Sequence, residues 1–110
     1  MNIQDLMSSS EEAEALLKAL ANSHRLMILC ELKDGERSVT ALEAVVPLTQ
    51  SALSQHLARL REGGFVATRR EAQTIYYSLA DPRVARLIEV LHDMFCGPAK
   101  SKSKARRSKS

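Results

Sequence analysis

Two cysteines, Cys30 and Cys96, are the side chains best suited to covalent chemistry in this chain. A thiol becomes a nucleophile and a redox centre when it ionises. The pair is far apart in sequence and forms no Cys-x-x-Cys motif, so a thiol–disulfide oxidoreductase is not indicated. From position alone both readings of Cys30 stay open, because a cysteine in an apolar run also serves as a small buried hydrophobe. Cys96 stands beside Gly97-Pro98 at the end of a segment, where packing is less natural and access easier. The three histidines, His24, His56 and His92, lie in separate segments, with no Ser/His/Asp set in reach. His92 has Glu89 and Asp93 beside it, but one histidine among scattered carboxylates reads as surface, not as a metal centre. No catalytic residue, metal site or cofactor is assigned, and the chain is not expected to be an enzyme.

A second kind of chemistry is non-covalent. Gln50, Ser51, Ser54, Gln55, Ala58 and Arg59 share the outward side of one helical segment, and no acidic residue occurs from Thr49 to Arg59. Short donors and acceptors that reach base edges, with a cation for phosphate, are what a DNA-reading helix needs. An ordinary solvated face would be richer in Glu and Lys. Arg69-Arg70 follows shortly after in an alternating segment, placed to lie along a neighbouring groove or phosphate.

These residues need elements to hold them. Ser9 and Glu12 have capping-box spacing ahead of Ala13, Leu16, Leu17 and Leu20, which predicts a first helix over about 10–20. Asn22 or Ser23 caps a second, Arg25 to Leu32, apolar almost all round and ended by Asp34-Gly35. Ser38 opens a short third helix carrying Val39, Leu42, Val45 and Val46, and Pro47-Leu48-Thr49 breaks it. Thr49 caps a fourth, Gln50 to Glu62, with Leu53, Leu57 and Leu60 inward and Gly63-Gly64 as the stop. The period then changes to alternation over 65–70 and 74–79, which reads as two strands. A last helix starts at Asp81-Pro82 and carries Val84, Leu87, Ile88, Leu91 and Phe95 as one stripe. The third and fourth helices form a helix-turn-helix in size and spacing, and the hairpin forms its wing. The fold class is mainly α with a small β-hairpin: five helices plus a two-stranded wing.

The net charge of +3 belongs to one end. Lys100, Lys102, Lys104, Arg106, Arg107 and Lys109 carry it, and without them acidic residues outnumber basic ones. Any DNA surface on the folded part therefore depends on where individual arginines sit. The expected organisation is a flexible N-terminus over 1–9, a DNA-binding and dimerisation domain over 10–97, and a disordered basic tail over 98–110. No long apolar run and no secretory signal is seen, so a cytoplasmic protein without membrane contact is expected.

The run Gln50-Ser51-Ala52-Leu53-Ser54-Gln55-His56-Leu57-Ala58-Arg59-Leu60-Arg61-Glu62-Gly63-Gly64-Phe65-Val66, with Leu26-Met27-Ile28-Leu29 before it and Ile75-Tyr76-Tyr77-Ser78-Leu79 after it, resembles the arsenic-repressor (ArsR/SmtB) family of winged-helix regulators. The resemblance covers about residues 11–96. It implies a homodimer paired through the first and last helices, bound to double-stranded operator DNA and released by an inducer. It also places His56 in the DNA-binding motif. The positions matching the family's Cys-x-Cys metal site are Ser38 and Thr40, neither a soft-metal ligand. The last helix lacks the family's second metal set. Cysteines at positions 30 and 96 resemble the persulfide-sensing (SqrR/BigR-like) branch. That resemblance implies persulfide or polysulfide as inducer and a disulfide or polysulfide bridge between Cys30 and Cys96. The alternative within the family is a metal- or haem-responsive repressor using Cys30 or Cys96 with His92.

Overall fold

The computed structural model describes residues 2–96, and the basic tail lies outside them. In chain order the elements are α1 (Ile3–Ser8), α2 (Ser10–Leu20), α3 (Ser23–Leu32), β1 (Arg37–Ser38), α4 (Val39–Val45), α5 (Gln50–Glu62), β2 (Val66–Glu71), β3 (Thr74–Leu79) and α6 (Pro82–Cys96). The antiparallel sheet has the order β1-β3-β2.

Local chemistry sets most of the boundaries. Asn22 accepts from the backbone N–H groups of His24 and Arg25 and so starts α3. Ser38 caps α4 by accepting from Ala41, and Thr49 caps α5 by accepting from Ala52. The end of α5 is a Schellman turn: Phe65 N–H donates to the Leu60 carbonyl and Gly64 N–H to that of Arg61. Gly64 takes φ +78°, and a Cβ at Gly63 would collide with the Phe65 ring, so both glycines are required. At α6, Asp81 accepts from the Arg83 N–H ahead of Pro82 in the first turn.

Two features differ from the sequence reading. The stretch read as a flexible N-terminus contains α1, capped by Asn2 accepting from Asp5. Ser9 consequently closes α1, its N–H on the Leu6 carbonyl, and makes no side-chain cap for α2. The anticipated capping box is not formed. The sheet also gains β1, whose Arg37 and Ser38 pair with Tyr77 and Tyr76. Two residues are too few for an alternating pattern to show.

One core holds the elements together. Ile28, Leu29 and Leu32 of α3 are buried among Leu42, Leu53, Leu57, Leu60, Val66, Val84 and Ile88. No helix among the described residues is long and apolar enough to cross a membrane.

Candidate nucleic-acid interface and cysteine pair

The α5 helix buries Leu53, Leu57 and Leu60, which leaves Gln50, Ser51, Ser54, Gln55 and Arg59 exposed on its other side. They share one continuous surface, as the helical period requires. His56 sits at its edge. It is half-buried, its ring centroid 6.0 Å from that of His24 and its Nδ1 3.5 Å from Arg25 Nη1. Burial comes first in pushing its pKa down, followed by the nearby Arg25, His24 and Arg59.

The wing treats its two arginines differently. Arg69 makes a two-pronged bond to Glu36, Nε to Oε2 at 3.0 Å and Nη2 to Oε1 at 2.8 Å. Its guanidinium also lies 4.6 Å above the Tyr76 ring, its cross-strand partner. The bond to Arg69 holds the Glu36 carboxyl below its ordinary range, and Glu36 raises Arg69 in turn. Arg70 has no such carboxylate within 4.0 Å among the described residues. A cleft of about 700 Å³ runs between α5 and the wing. It brings Gln50 and Ser54 together with Thr40, Arg61, Gln73 and Thr74. None of those last four was read as a DNA contact in the sequence, and Thr40, Gln73 and Thr74 reach this cleft only through the fold.

The cysteines lie outside that cleft, on α3 and at the end of α6. Both are exposed free thiols, so Cys30 is not a core hydrophobe. It stands on the solvent side of α3, next to the buried Leu29. Local crowding pushes the Cys30 thiol up, and the neighbouring Cys96 adds to this. The two sulfur-bearing residues are thus neighbours where α3 packs against α6. His92 is half-buried, and no group of three or more His, Cys, Asp or Glu arranged to hold a metal ion occurs among the described residues.

Residues 22–68, from the cap of α3 into β2, match the profile of the bacterial regulatory protein arsR family. The transcriptional activator HlyU of Vibrio cholerae serotype O1 is 52% identical over 96 residues, spanning 87% of this chain and 89% of that protein.

The chain belongs to the arsR family of bacterial regulators.

Its fold agrees with solved structures of such regulators over most of the chain. The structure described as reduced HlyU from Vibrio cholerae N16961 superposes with a TM-score of 0.80 at 52% identity, covering 84% of this chain and 98% of that one. The transcriptional repressor BigR from Xylella fastidiosa superposes with a TM-score of 0.82 at 41% identity, covering 87% and 98%. An arsR-family chain with this helix-turn-helix and wing is a DNA-binding regulator of transcription, not an enzyme.

Proposed function

We propose that this regulator is a homodimeric repressor that leaves its operator when Cys30 and Cys96 become joined by sulfur. The observation that carries the reading is the placement of two exposed thiols on α3 and at the end of α6, helices that pack on each other, with Cys96 near enough to raise the Cys30 thiol. A relative whose structure is described by its reduced state points the same way. In the proposed reaction, a cysteine thiolate attacks the outer sulfur of a glutathione persulfide and expels glutathione thiolate, leaving a cysteine persulfide. The second thiolate then attacks the inner sulfur and expels hydrosulfide. The product is a Cys30–Cys96 disulfide, and the two electrons leave on the released sulfide. Further persulfide equivalents lengthen the bridge to a polysulfide.

Dimerisation is supported by what α1, α2 and α6 leave uncovered. Ile3, Leu17, Met94 and Phe95 are 71%, 61%, 67% and 78% exposed. Patches of this kind mark an interface. DNA contact is assigned to Gln50, Ser51, Ser54, Gln55, His56 and Arg59 on α5, with Arg70 and Arg69 on the wing. Bridging α3 to α6 alters the dimer side and thereby the spacing of the two recognition helices. A hundredfold loss of operator affinity requires only about 2.7 kcal/mol of coupling.

The test pairs intact-mass analysis with DNA binding for the wild type, Cys30→Ser, Cys30→Ala and Cys96→Ser. All four are expected to bind DNA, and only the wild type should release it after glutathione persulfide, with the mass of a bridged product. Release by both single-cysteine variants would mean that the dithiol is not the switch. A transcription assay on a promoter that carries the operator sets the direction, since persulfide raises the output of a repressed gene.

A further inference from the structure

Arg25 occupies a joint between three helices. It lies in the first turn of α3, its Nε donates to the Ala19 carbonyl and its Nη2 to the Lys18 carbonyl, both at 2.9 Å. These are carbonyls of the last turn of α2, where helical N–H donors run out; the Lys18 carbonyl also accepts from the Ala21 N–H. Two bonds at that distance fix the plane of the guanidinium. The remaining nitrogen, Nη1, then meets Nδ1 of His56 on α5, at 3.5 Å and thus the long end of hydrogen-bond range. A guanidinium only donates, so Nδ1 is the acceptor and the ring proton sits on Nε2. Nε2 has no protein partner among the described residues, and the ring is partly open to solvent at the edge of the reading surface.

We propose that Arg25 is a positioning residue for DNA contact, its guanidinium fixing the His56 ring so that a neutral Nε2–H is presented to the DNA backbone. The proposal rests on the reading of α5 as the DNA-contacting helix. The charged surroundings agree with it. From α3 the ring faces His24 and Arg25, and from its own helix Arg59. From α2, Lys18 lines the adjoining hollow with Arg25 and Arg59, its ammonium 3.8 Å from Glu14. An imidazolium there would repel Arg25 and lose the Nδ1 acceptor, so the ring works in its neutral form. A phosphate oxygen is the acceptor chemistry that a neutral N–H at a cationic edge fits.

The test follows the His56 ring nitrogens by NMR in the full chain from pH 5 to 8.5, beside binding to the tightest duplex that the wild-type chain selects from a random-sequence pool. In the wild type, His56 is expected to carry its proton on Nε2 and to titrate below the ordinary histidine midpoint. Its duplex affinity should vary less than about twofold between pH 6.5 and 8. In Arg25→Met the His56 midpoint should rise. The variant should bind roughly tenfold more weakly at pH 8, and regain affinity toward pH 6 as a cationic ring forms. A purely structural role for Arg25 would lower affinity equally at every pH and leave the His56 titration in place. A proton on Nδ1 in the wild type, or an unmoved His56 midpoint in Arg25→Met, overturns the proposal. Should Arg25→Met fail to fold, the wild-type tautomer and midpoint decide alone. Gln55→Ala and Ser54→Ala serve as controls: unchanged affinity in both refutes α5 as the reading helix, whatever His56 does.

Discussion

The recognition helix α5 buries all its large apolar side chains within the chain, whereas the side built from α1, α2 and α6 does not. The α5 helix covers all three of its leucines, is capped at both ends, and shows solvent only polar or small side chains. Across the molecule Leu6, Met7, Leu17, Val90, Met94 and Phe95 stay open to water although they lie on well-formed helices. Both sides obey the same helical periodicity, yet α5 finds packing partners for every leucine within the chain and α6 leaves apolar side chains uncovered. In the proposed homodimer, a second copy covering that side would set the orientation of the reading head. The two cysteines lie where α3, a core helix, meets α6, a helix with an uncovered face.

The largest effects break this comparison most directly. Leu57→Ala, at a position only 2% exposed, should cost about 2–5 kcal/mol. That loss should appear as a lower melting temperature at every protein concentration. Leu17→Glu with Phe95→Glu should instead leave a folded monomer by sedimentation and remove the concentration dependence of the melting temperature. Its operator affinity should fall by roughly a hundredfold, because two half-sites are no longer engaged together. A double variant that stays dimeric would place the interface elsewhere.

A smaller effect separates the two wing arginines. Arg70→Gln should flatten the salt dependence of DNA binding by about 0.9 in log–log slope, the amount for one phosphate. Arg69→Gln should change it less, since Glu36 and Tyr76 already hold that guanidinium. Equal changes in slope would show that Glu36 releases Arg69 to the DNA.

The smallest expected effect concerns the thiols. Partial desolvation by its neighbours and the nearby Cys96 both disfavour the Cys30 anion, so its alkylation should reach half-maximal rate at a pH above that of an ordinary cysteine. Cys96→Ala removes the like-charge contribution, and the half-point should move down. A half-point that does not move separates the two sulfurs and removes the physical basis of the bridge.

Much of the reading head was legible in the sequence. Thr49, the Leu53-Leu57-Leu60 row and Gly63-Gly64 are local signals, and α5 runs from Gln50 to Glu62 as they imply. The α6 stripe was legible as periodicity but not as exposure: Val84 and Ile88 are buried while Phe95, in the same row, is not. Pattern reports which residues share a face, and only tertiary packing reports whether that face is covered. The same limit hid the exposure of Cys30, and it hid the Glu36–Arg69 bond and the Arg25–His56 contact, which join residues 33 and 31 positions apart. Ser9 misled because its spacing to Glu12 suits a cap while its backbone is already used to end α1.

The central claim is that the thiol side controls the reading head. It is tested most directly by measuring, at one fixed salt concentration, the duplex affinity of reduced protein and of protein whose Cys30–Cys96 bridge has been verified by intact mass. The account predicts about a hundredfold weaker binding by the bridged form, restored in full when dithiothreitol cleaves the bridge. Equal affinity of the bridged and reduced forms would contradict it.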